Sequence, residues 1–391
     1  LHVQCEIQHY KFMNIKCDFC GSSELHSEYK AIDTLRDLEV YVCLSCALVQ
    51  SFPKIDKGPA GQPTVSSGAL WGNLRYGKAF RTKHAIDNLS RFLGLEDINS
   101  VLDIGSNRGH FLGELRKLNT KAKLVGIEPD HRVIGDYHSS IEVLVDRVED
   151  VGKFQDKFQI IYSSHTLEHL RSITFFREFV KENLSVNGLV YIEVPSIGVI
   201  EEESIVEEFF IDKHLYHFSL KSFTRYIHTF GYEVLTLGED SENLWAVLRN
   251  SDFSVKINER EIGIEEEVGK VVSKIRNYKL NLFKNKNELR QLAEVLKRQS
   301  IDENVVIWGA GRIFDSLVVN GGLDPKILYG LVDSNLCHLI DHVHDMRVED
   351  PDFFDFSRVD RIVICSRVYY NEIRDRIMMD YPNVQNIQPL L

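Results

Sequence analysis

The stretch SVLDIGSNRGHFLGEL, residues 100–115, decides how the middle of this 391-residue chain folds. Val101 to Ile104 form a hydrophobic strand that runs straight into a turn holding Gly105 and Gly109, and a helix starts near His110. Glycines let a backbone approach a ligand closely, and a helix amino terminus offers free N–H groups. Twenty-three residues after Gly105 the next strand, KLVGIE, ends in Glu128, the spacing at which an acidic side chain reaches ribose hydroxyls.

Asp103 separates this turn from a dinucleotide fingerprint. A carboxylate at the strand end repels pyrophosphate and suits the ammonium of an amino-acid moiety, which points to S-adenosylmethionine instead of NAD. Outward from the turn, amphipathic helix, strand, glycine turn and helix alternate over residues 63–250, predicting a parallel sheet with helices on both faces. Residues 262–300 carry apolar positions at helical spacing and predict one long helix or two shorter ones within a 251–300 linker. From Val305 the alternation restarts, giving a second α/β unit over 301–391.

Residues 1–62 are different: short, without long helical periodicity, and closed by a Pro/Gly/Ser-rich stretch. Four of the seven cysteines lie here as Cys17, Cys20, Cys43 and Cys46. Two Cys-x-x-Cys knuckles can converge four thiolates on a tetrahedral ion, with Gly21 suited to the tight turn after the first. So few residues bury little core, which gives a structural zinc a physical task. Four thiolates close the shell, so the ion is expected to be structural and not catalytic.

Hydrophobic residues at 43% and charged ones at 27% describe an ordinary globular chain, long enough for two or three domains. Asp and Glu outnumber Lys and Arg 58 to 46, a net charge of −12 that repels nucleic-acid backbones. No apolar run approaches membrane-spanning length, so no membrane is expected as a partner. The amino-terminal stretch lacks the pattern of a secretory signal, and a cytoplasmic location is expected. The assembly expected is a monomer or small homo-oligomer.

The motifs VLDIGSNRGHF, VGIEPD, VLVDRVEDV, FQIIYSSHTLEHL and LSVNGLVYIEVPS, in this order and spacing, resemble class I S-adenosylmethionine-dependent methyltransferases over about 150 residues. The resemblance implies that Asp103, Gly105 and Gly109 hold the methionine end of the cofactor, with Ser106 and Asn107 in the same turn. It gives the ribose to Glu128, followed by Pro129, and the adenine edge to Asp146 and Arg147. Ser164 and His165 would border the cofactor after the fourth strand. Asn107 stands where the family has Gly; Asn tolerates positive φ, so the turn is expected to persist.

The chain as a whole resembles sugar C-methyltransferases acting on nucleotide-linked hexoses, which combine a four-cysteine zinc domain, a cofactor domain and a carboxyl-terminal Rossmann-like domain. VVIWGAGRIFDSLVV, ILYGLVDSN and DRIVICSRVYYNEI carry that likeness in the last unit. Its glycine turn has Phe314 at the third glycine position, and the resemblance implies a domain that helps hold the substrate. The loop after the fifth strand carries His214, Tyr216 and His217; His214 matches the family's base, while Ile211 and Lys213 replace its Tyr and Glu companions. His214 is the expected base or orienting group, with His217 beside it and Tyr76 lining the pocket.

The expected function is methyl transfer to a nucleotide-linked sugar or related small polar metabolite, with carbon as acceptor in deoxysugar or surface-glycan biosynthesis. Oxygen or nitrogen methylation is the first alternative. A zinc-module RNA methyltransferase and a non-catalytic S-adenosylmethionine-binding scaffold are the others; the acidic balance argues against RNA. Glu168 and His169 have the residue types of a metal pair, but they sit at a predicted helix start between Leu167 and Leu170, where capping or a buried hydrogen bond is expected of them over a metal role.

Overall fold

Two tight turns of the same shape begin the described chain. Gly21 N donates to Cys17 O and Ala47 N donates to Cys43 O, each at 2.8 Å, and both Gly21 (φ 74°) and Ala47 (φ 58°) adopt left-handed backbone. Between and after them lie strands β1 (Leu25–Lys30), β2 (Glu39–Cys43) and β3 (Val49–Phe52), paired antiparallel in sequence order. The computed structural model describes residues 15–32, 34, 37–54, 78–203, 205–240, 242–251, 263–366, 369–384 and 386–389. Tyr76 lies outside them.

The alternation over the middle segment folds as expected. In order come α1 (Lys78–Ser90), β4 (Ser100–Ile104), α2 (His110–Leu118), β5 (Lys123–Ile127), β6 (Glu142–Leu144), β7 (Phe158–Ser164), α3 (Ile173–Asn183) and β8 (Leu184–Pro195). Then follow β9 (Tyr216–His217), α4 (Leu220–His228), β10 (Glu233–Glu239) and β11 (Asn243–Arg249). Seven of these strands form one sheet in the order β10-β11-β8-β7-β4-β5-β6, with β11 antiparallel to both its neighbours and the rest parallel. Val101, Leu102 and Ile104 of β4 are fully buried, as a central strand covered on both faces requires.

Strand β9 leaves this sheet and pairs with β3, where Val49 lies opposite His217 and Gln50 opposite Tyr216. The cysteine strands therefore share a core with the seven-stranded sheet: Cys17, Cys43, Cys46 and Leu48 belong to the same buried cluster as Leu102, Val125 and Ile192. The cysteine strands and the seven-stranded sheet lie in one compact unit. So short a segment buries too little apolar surface by itself and borrows the neighbouring core.

The predicted linker helix is a single element, α5 (Ile264–Gln299), with Glu265, Glu266 and Glu267 in its first turn and Lys297 and Arg298 in its last, charges that complement the helix dipole. Residues through Arg276 belong to the first unit, and the second runs from Asn277 together with Glu202–Glu208. The second unit contains β12 (Val305–Trp308), α6 (Arg312–Val319), β13 (Gly330–Val332), β14 (His342–Val343), β15 (Met346–Glu349), β16 (Arg361–Ile364), α7 (Tyr370–Asp380) and β17 (Asn386–Pro389). Its sheet order is β14-β15-β13-β12-β16-β17, parallel apart from the β14–β15 hairpin.

Asp18, in the first knuckle, joins the cysteine turn to the start of α3: its Oδ2 accepts from Ile173 N at 2.8 Å and its carbonyl from the Thr174 hydroxyl at 2.7 Å. Asp18→Ala removes the side-chain bond to a helix amino terminus, and a loss of about 1–2 kcal/mol in unfolding free energy is expected by denaturant titration with an unchanged slope.

Candidate active site

The turn between β4 and α2 is built by backbone bonds to the end of β5. Gly105 N and Ser106 N donate to Ile127 O at 2.8 and 3.1 Å, and Gly109 N donates to Ser106 O at 2.8 Å. Gly105 has φ 77°, and a Cβ there would lie 2.0 Å from the Thr166 hydroxyl oxygen. Gly109 has φ 70°, and a Cβ there would lie 2.7 Å from the Tyr137 ring. Asn107 adopts φ 47°, the left-handed backbone expected of it in the glycine's place. Its N–H donates to Glu128 Oε2 at 2.7 Å, while Glu128 Oε1 accepts from Asp130 N at 2.8 Å.

Asp103 lies beneath this turn, 2% exposed, and its Oδ1 has no hydrogen-bond partner among the described residues. Burial, reinforced by Glu128, pushes its carboxyl well above the usual carboxylate range. A buried, unsatisfied carboxylate under a cradle open only to glycine suits a cationic amine, whose charge would reverse that shift. Glu128 and Pro129 follow β5, and Asp146 and Arg147 follow β6, with Asp146 Oδ1 accepting from Arg147 N at 3.0 Å. The residues expected to hold S-adenosylmethionine thus line the carboxyl ends of adjacent parallel strands, and they fit that group.

Ser164 ends β7, and its hydroxyl donates to Glu193 Oε1 of β8 at 2.8 Å. The Tyr191 hydroxyl donates to Glu193 Oε2 at 2.6 Å, and His84 Nδ1 of α1 lies 3.2 Å from the Tyr191 oxygen. Burial raises the Glu193 carboxyl despite these bonds. His165 adopts φ 51°, unusual for a residue with a Cβ, and its Nε2 lies 2.8 Å from Asn243 Oδ1. Burial, with Arg81 second, pushes its imidazole down to about 3.

The loop carrying His214 is pinned on both sides of that residue. Leu215 N donates to Glu168 O at 2.7 Å, and His169 Nδ1 lies 2.8 Å from Lys213 O. Burial, with His169 second, pushes the His214 imidazole well below its usual value. His217 is placed otherwise. It is 2% exposed in β9, its Nε2 lies 2.8 Å from the Ser51 hydroxyl, and its ring packs against Phe209 and Phe210. These contacts fasten β9 to β3. Nor does Glu168 cap a helix, since Ser172 caps α3 by accepting from Phe175 N.

The four cysteine sulfurs lie within 4.8 Å of one another, with Cys17–Cys46 at 3.6 Å and Cys20–Cys43 at 3.5 Å. Sulfurs about 2.3 Å from a tetrahedral zinc stand about 3.8 Å apart, so the donor set fits that ion. In the second unit the other glycine turn is closed by its own acid: Asp333 Oδ2 accepts from Ala310 N at 3.0 Å and Oδ1 from Asn335 N and Leu336 N. Phe314 is fully buried at the third glycine position, and His344 Nε2 lies 2.7 Å from Asp315 Oδ1.

Sequence reasoning passed over Glu193, Tyr137, Arg81 and Asn243. Glu193 left a signal, a single charge inside the apolar run VYIEVP. Tyr137, whose hydroxyl lies 2.5 Å from Ser106 Oγ, and Asn243 left none, because neither stands at a spacing that links it to the turn.

A family model described as a methyltransferase domain matches residues 77–237. No curated protein matches the chain. Among solved structures, an S-adenosylmethionine-dependent methyltransferase from Aquifex aeolicus is 15% identical, with 47% of this chain and 99% of that one covered and a TM-score of 0.38. One from Mesorhizobium loti is 13% identical over 42% of this chain and 96% of that one, TM-score 0.35. The N-methyltransferase NodS from Bradyrhizobium japonicum is 16% identical over 45% and 99%, TM-score 0.35. Residues 77–237, which match the methyltransferase-domain model, contain the strands that carry the glycine cradle and the buried Asp103.

Proposed function

We propose that the chain is a cytoplasmic enzyme that methylates a small polar metabolite, a nucleotide-linked sugar first among them, with a structural zinc on Cys17, Cys20, Cys43 and Cys46. The observation that carries the reading is the unsatisfied carboxylate oxygen of Asp103 beneath the Gly105–Gly109 cradle, with His165 directly after the adjacent parallel strand β7. The net charge of −12 disfavours a nucleic-acid substrate, and the likeness of the whole chain to sugar C-methyltransferases favours a sugar.

S-adenosylmethionine, when bound, supplies an electrophilic methyl group on a sulfonium. Asp103 holds the ammonium of its methionine end, Ser106, Asn107 and Gly109 present backbone to it, and Glu128 takes the ribose. Asp146 and Arg147 border the adenine, and Ser164 keeps Glu193 in place. His214 orients the acceptor and takes the proton that the acceptor atom loses as the methyl leaves the sulfonium sulfur, so that alignment and one proton transfer do the work of an in-line displacement. Carbon is the acceptor atom in this reading.

Calorimetric titration of the zinc-loaded protein with S-adenosylhomocysteine, and then with a panel of nucleotide sugars in its presence, tests the reading. Binding of the first and of at least one sugar, with labelled methyl recovered on a sugar carbon, is expected; label on RNA, or no binding of any sugar, overturns it. Asp103→Asn removes a charge-assisted contact, and S-adenosylhomocysteine affinity is expected to fall about ten- to hundredfold by the same titration. Cys20→Ser breaks the tetrahedral set. It is expected to lose one equivalent of zinc by elemental analysis and at least about 5 °C of melting temperature.

A further inference from the structure

We propose that Cys337, His338 and Asp350 bind a zinc-type divalent ion at the carboxyl edge of the second unit's sheet, with one coordination position left open to an exogenous ligand. One ligand atom from each of the three, the thiol sulfur, an imidazole nitrogen and a carboxylate oxygen, lies within 4.8 Å of the other two. The site lies in the second unit and rests on neither the methyltransferase reading nor the cysteine quartet.

Topology brings the three residues together. Strands β13 and β15 are parallel neighbours, with Leu331 opposite Val348 and Val332 opposite Glu349. Asp333 and Asp350 are the first residues beyond this pair, and Asp333 N donates to Glu349 O at 3.1 Å. The short helical turn Leu336–His338 follows β13 and Asp350 follows β15, so both ligand-bearing segments leave the sheet at the same edge. In parallel α/β sheets that edge is where ligands gather.

Hydrogen bonds hold both segments. Asp333 Oδ1 accepts from Asn335 N and Leu336 N at 2.9 and 2.8 Å, and Asp333 O accepts from Cys337 N at 3.3 Å, which ties the turn to the strand end. Asp350 O accepts from Phe353 N and Phe354 N, and Asp350 Oδ1 accepts from Asp352 N at 3.0 Å. That last bond orients the carboxylate, as the outer hydrogen bonds of a ligating carboxylate do. Asp350 Oδ2 then faces His338 Nε2 at 3.8 Å.

At that separation the two atoms are too far apart for a hydrogen bond and near the spacing of two ligands on one ion. With bonds of about 2.0–2.2 Å to nitrogen and oxygen and about 2.3 Å to sulfur, tetrahedral ligand atoms stand about 3.4–3.6 Å apart. The His338 side chain is 67% exposed, so rotation of its ring closes the difference without disturbing the core. A surface ion pair would account for His338 and Asp350 alone; the thiol beside them completes a metal's donor set. Sulfur, imidazole and carboxylate together select zinc over magnesium or calcium, which take oxygen ligands. Three protein ligands leave the fourth tetrahedral position open, unlike the closed shell of the four cysteines.

Cobalt(II), which takes zinc's geometry and absorbs visible light, tests the site in the zinc-loaded full chain. Titration is expected to give one tetrahedral Co²⁺ per chain with a sulfur-to-cobalt charge-transfer band. Cys337→Ser is expected to remove that band, and His338→Ala and Asp350→Asn each to weaken Co²⁺ binding tenfold or more, with the far-ultraviolet circular dichroism unchanged. Should Cys337→Ser fold poorly, His338→Ala decides, because its side chain is exposed. Added azide is expected to shift the visible bands, and bands that azide leaves unmoved overturn the open position. The absence of a tetrahedral Co²⁺ spectrum overturns the site. So does a charge-transfer band that survives Cys337→Ser, which puts the cobalt on other thiols, and so do His338→Ala and Asp350→Asn proteins that bind Co²⁺ as tightly as wild type.

Discussion

Much of this structure depends on the clamping of one short segment, residues 213–217, between two layers. On one side it is tied to the short helical turn Leu167–His169 after β7, through Leu215 N to Glu168 O and Lys213 O to His169. On the other it is a strand of the cysteine sheet, with Ser51 N donating to Leu215 O at 3.0 Å and His217 bonded to the Ser51 hydroxyl. The cysteine knuckles thus fix the far side of the loop that presents His214. A cluster whose four thiolates close any coordination shell reaches the candidate active site through backbone, not through chemistry of its own.

The two glycine turns show how similar local sequence acquires different capacity. In each, an acid after the next strand accepts a backbone N–H from the turn: Glu128 from Asn107, and Asp333 from Ala310. The difference lies underneath. The first turn covers a buried carboxylate with an unsatisfied oxygen, and its glycines face Thr166 and Tyr137 side chains. In the second, Gly309 abuts the Cys365 carbonyl, 3.0 Å from where a Cβ would stand, and Phe314 fills the third glycine position. The first is shaped as a cradle and the second is packed as a core.

Legibility along the chain followed the range of the interactions involved. The β4 turn, the Cys-x-x-Cys knuckles and α5 are set by residues within a few positions of one another, and their sequence patterns read directly. Asn107 at φ 47° was readable from the tolerance of Asn for left-handed backbone, whereas Ala47 at φ 58° was not, since Ala has no such preference. His217 stood beside His214 in a histidine-bearing loop, but His214 lies in the turn before β9 and meets His169, whereas His217 lies in the strand and packs against Phe209 and Phe210.

By itself the sequence determined a parallel α/β domain with an S-adenosylmethionine-type turn, four convergent cysteines and a second α/β unit behind a long helix. Periodicity, glycine placement and short spacings encode those locally. Only the tertiary structure decided that the cysteine strands share the methyltransferase core, that Glu193 sits among Ser164, Tyr191 and His84, and that Glu168 and His169 meet His214 about 45 residues onward. Each of these is a meeting of segments distant in sequence. Which buried donors face one another depends on how the strands stack, and no local spacing records it.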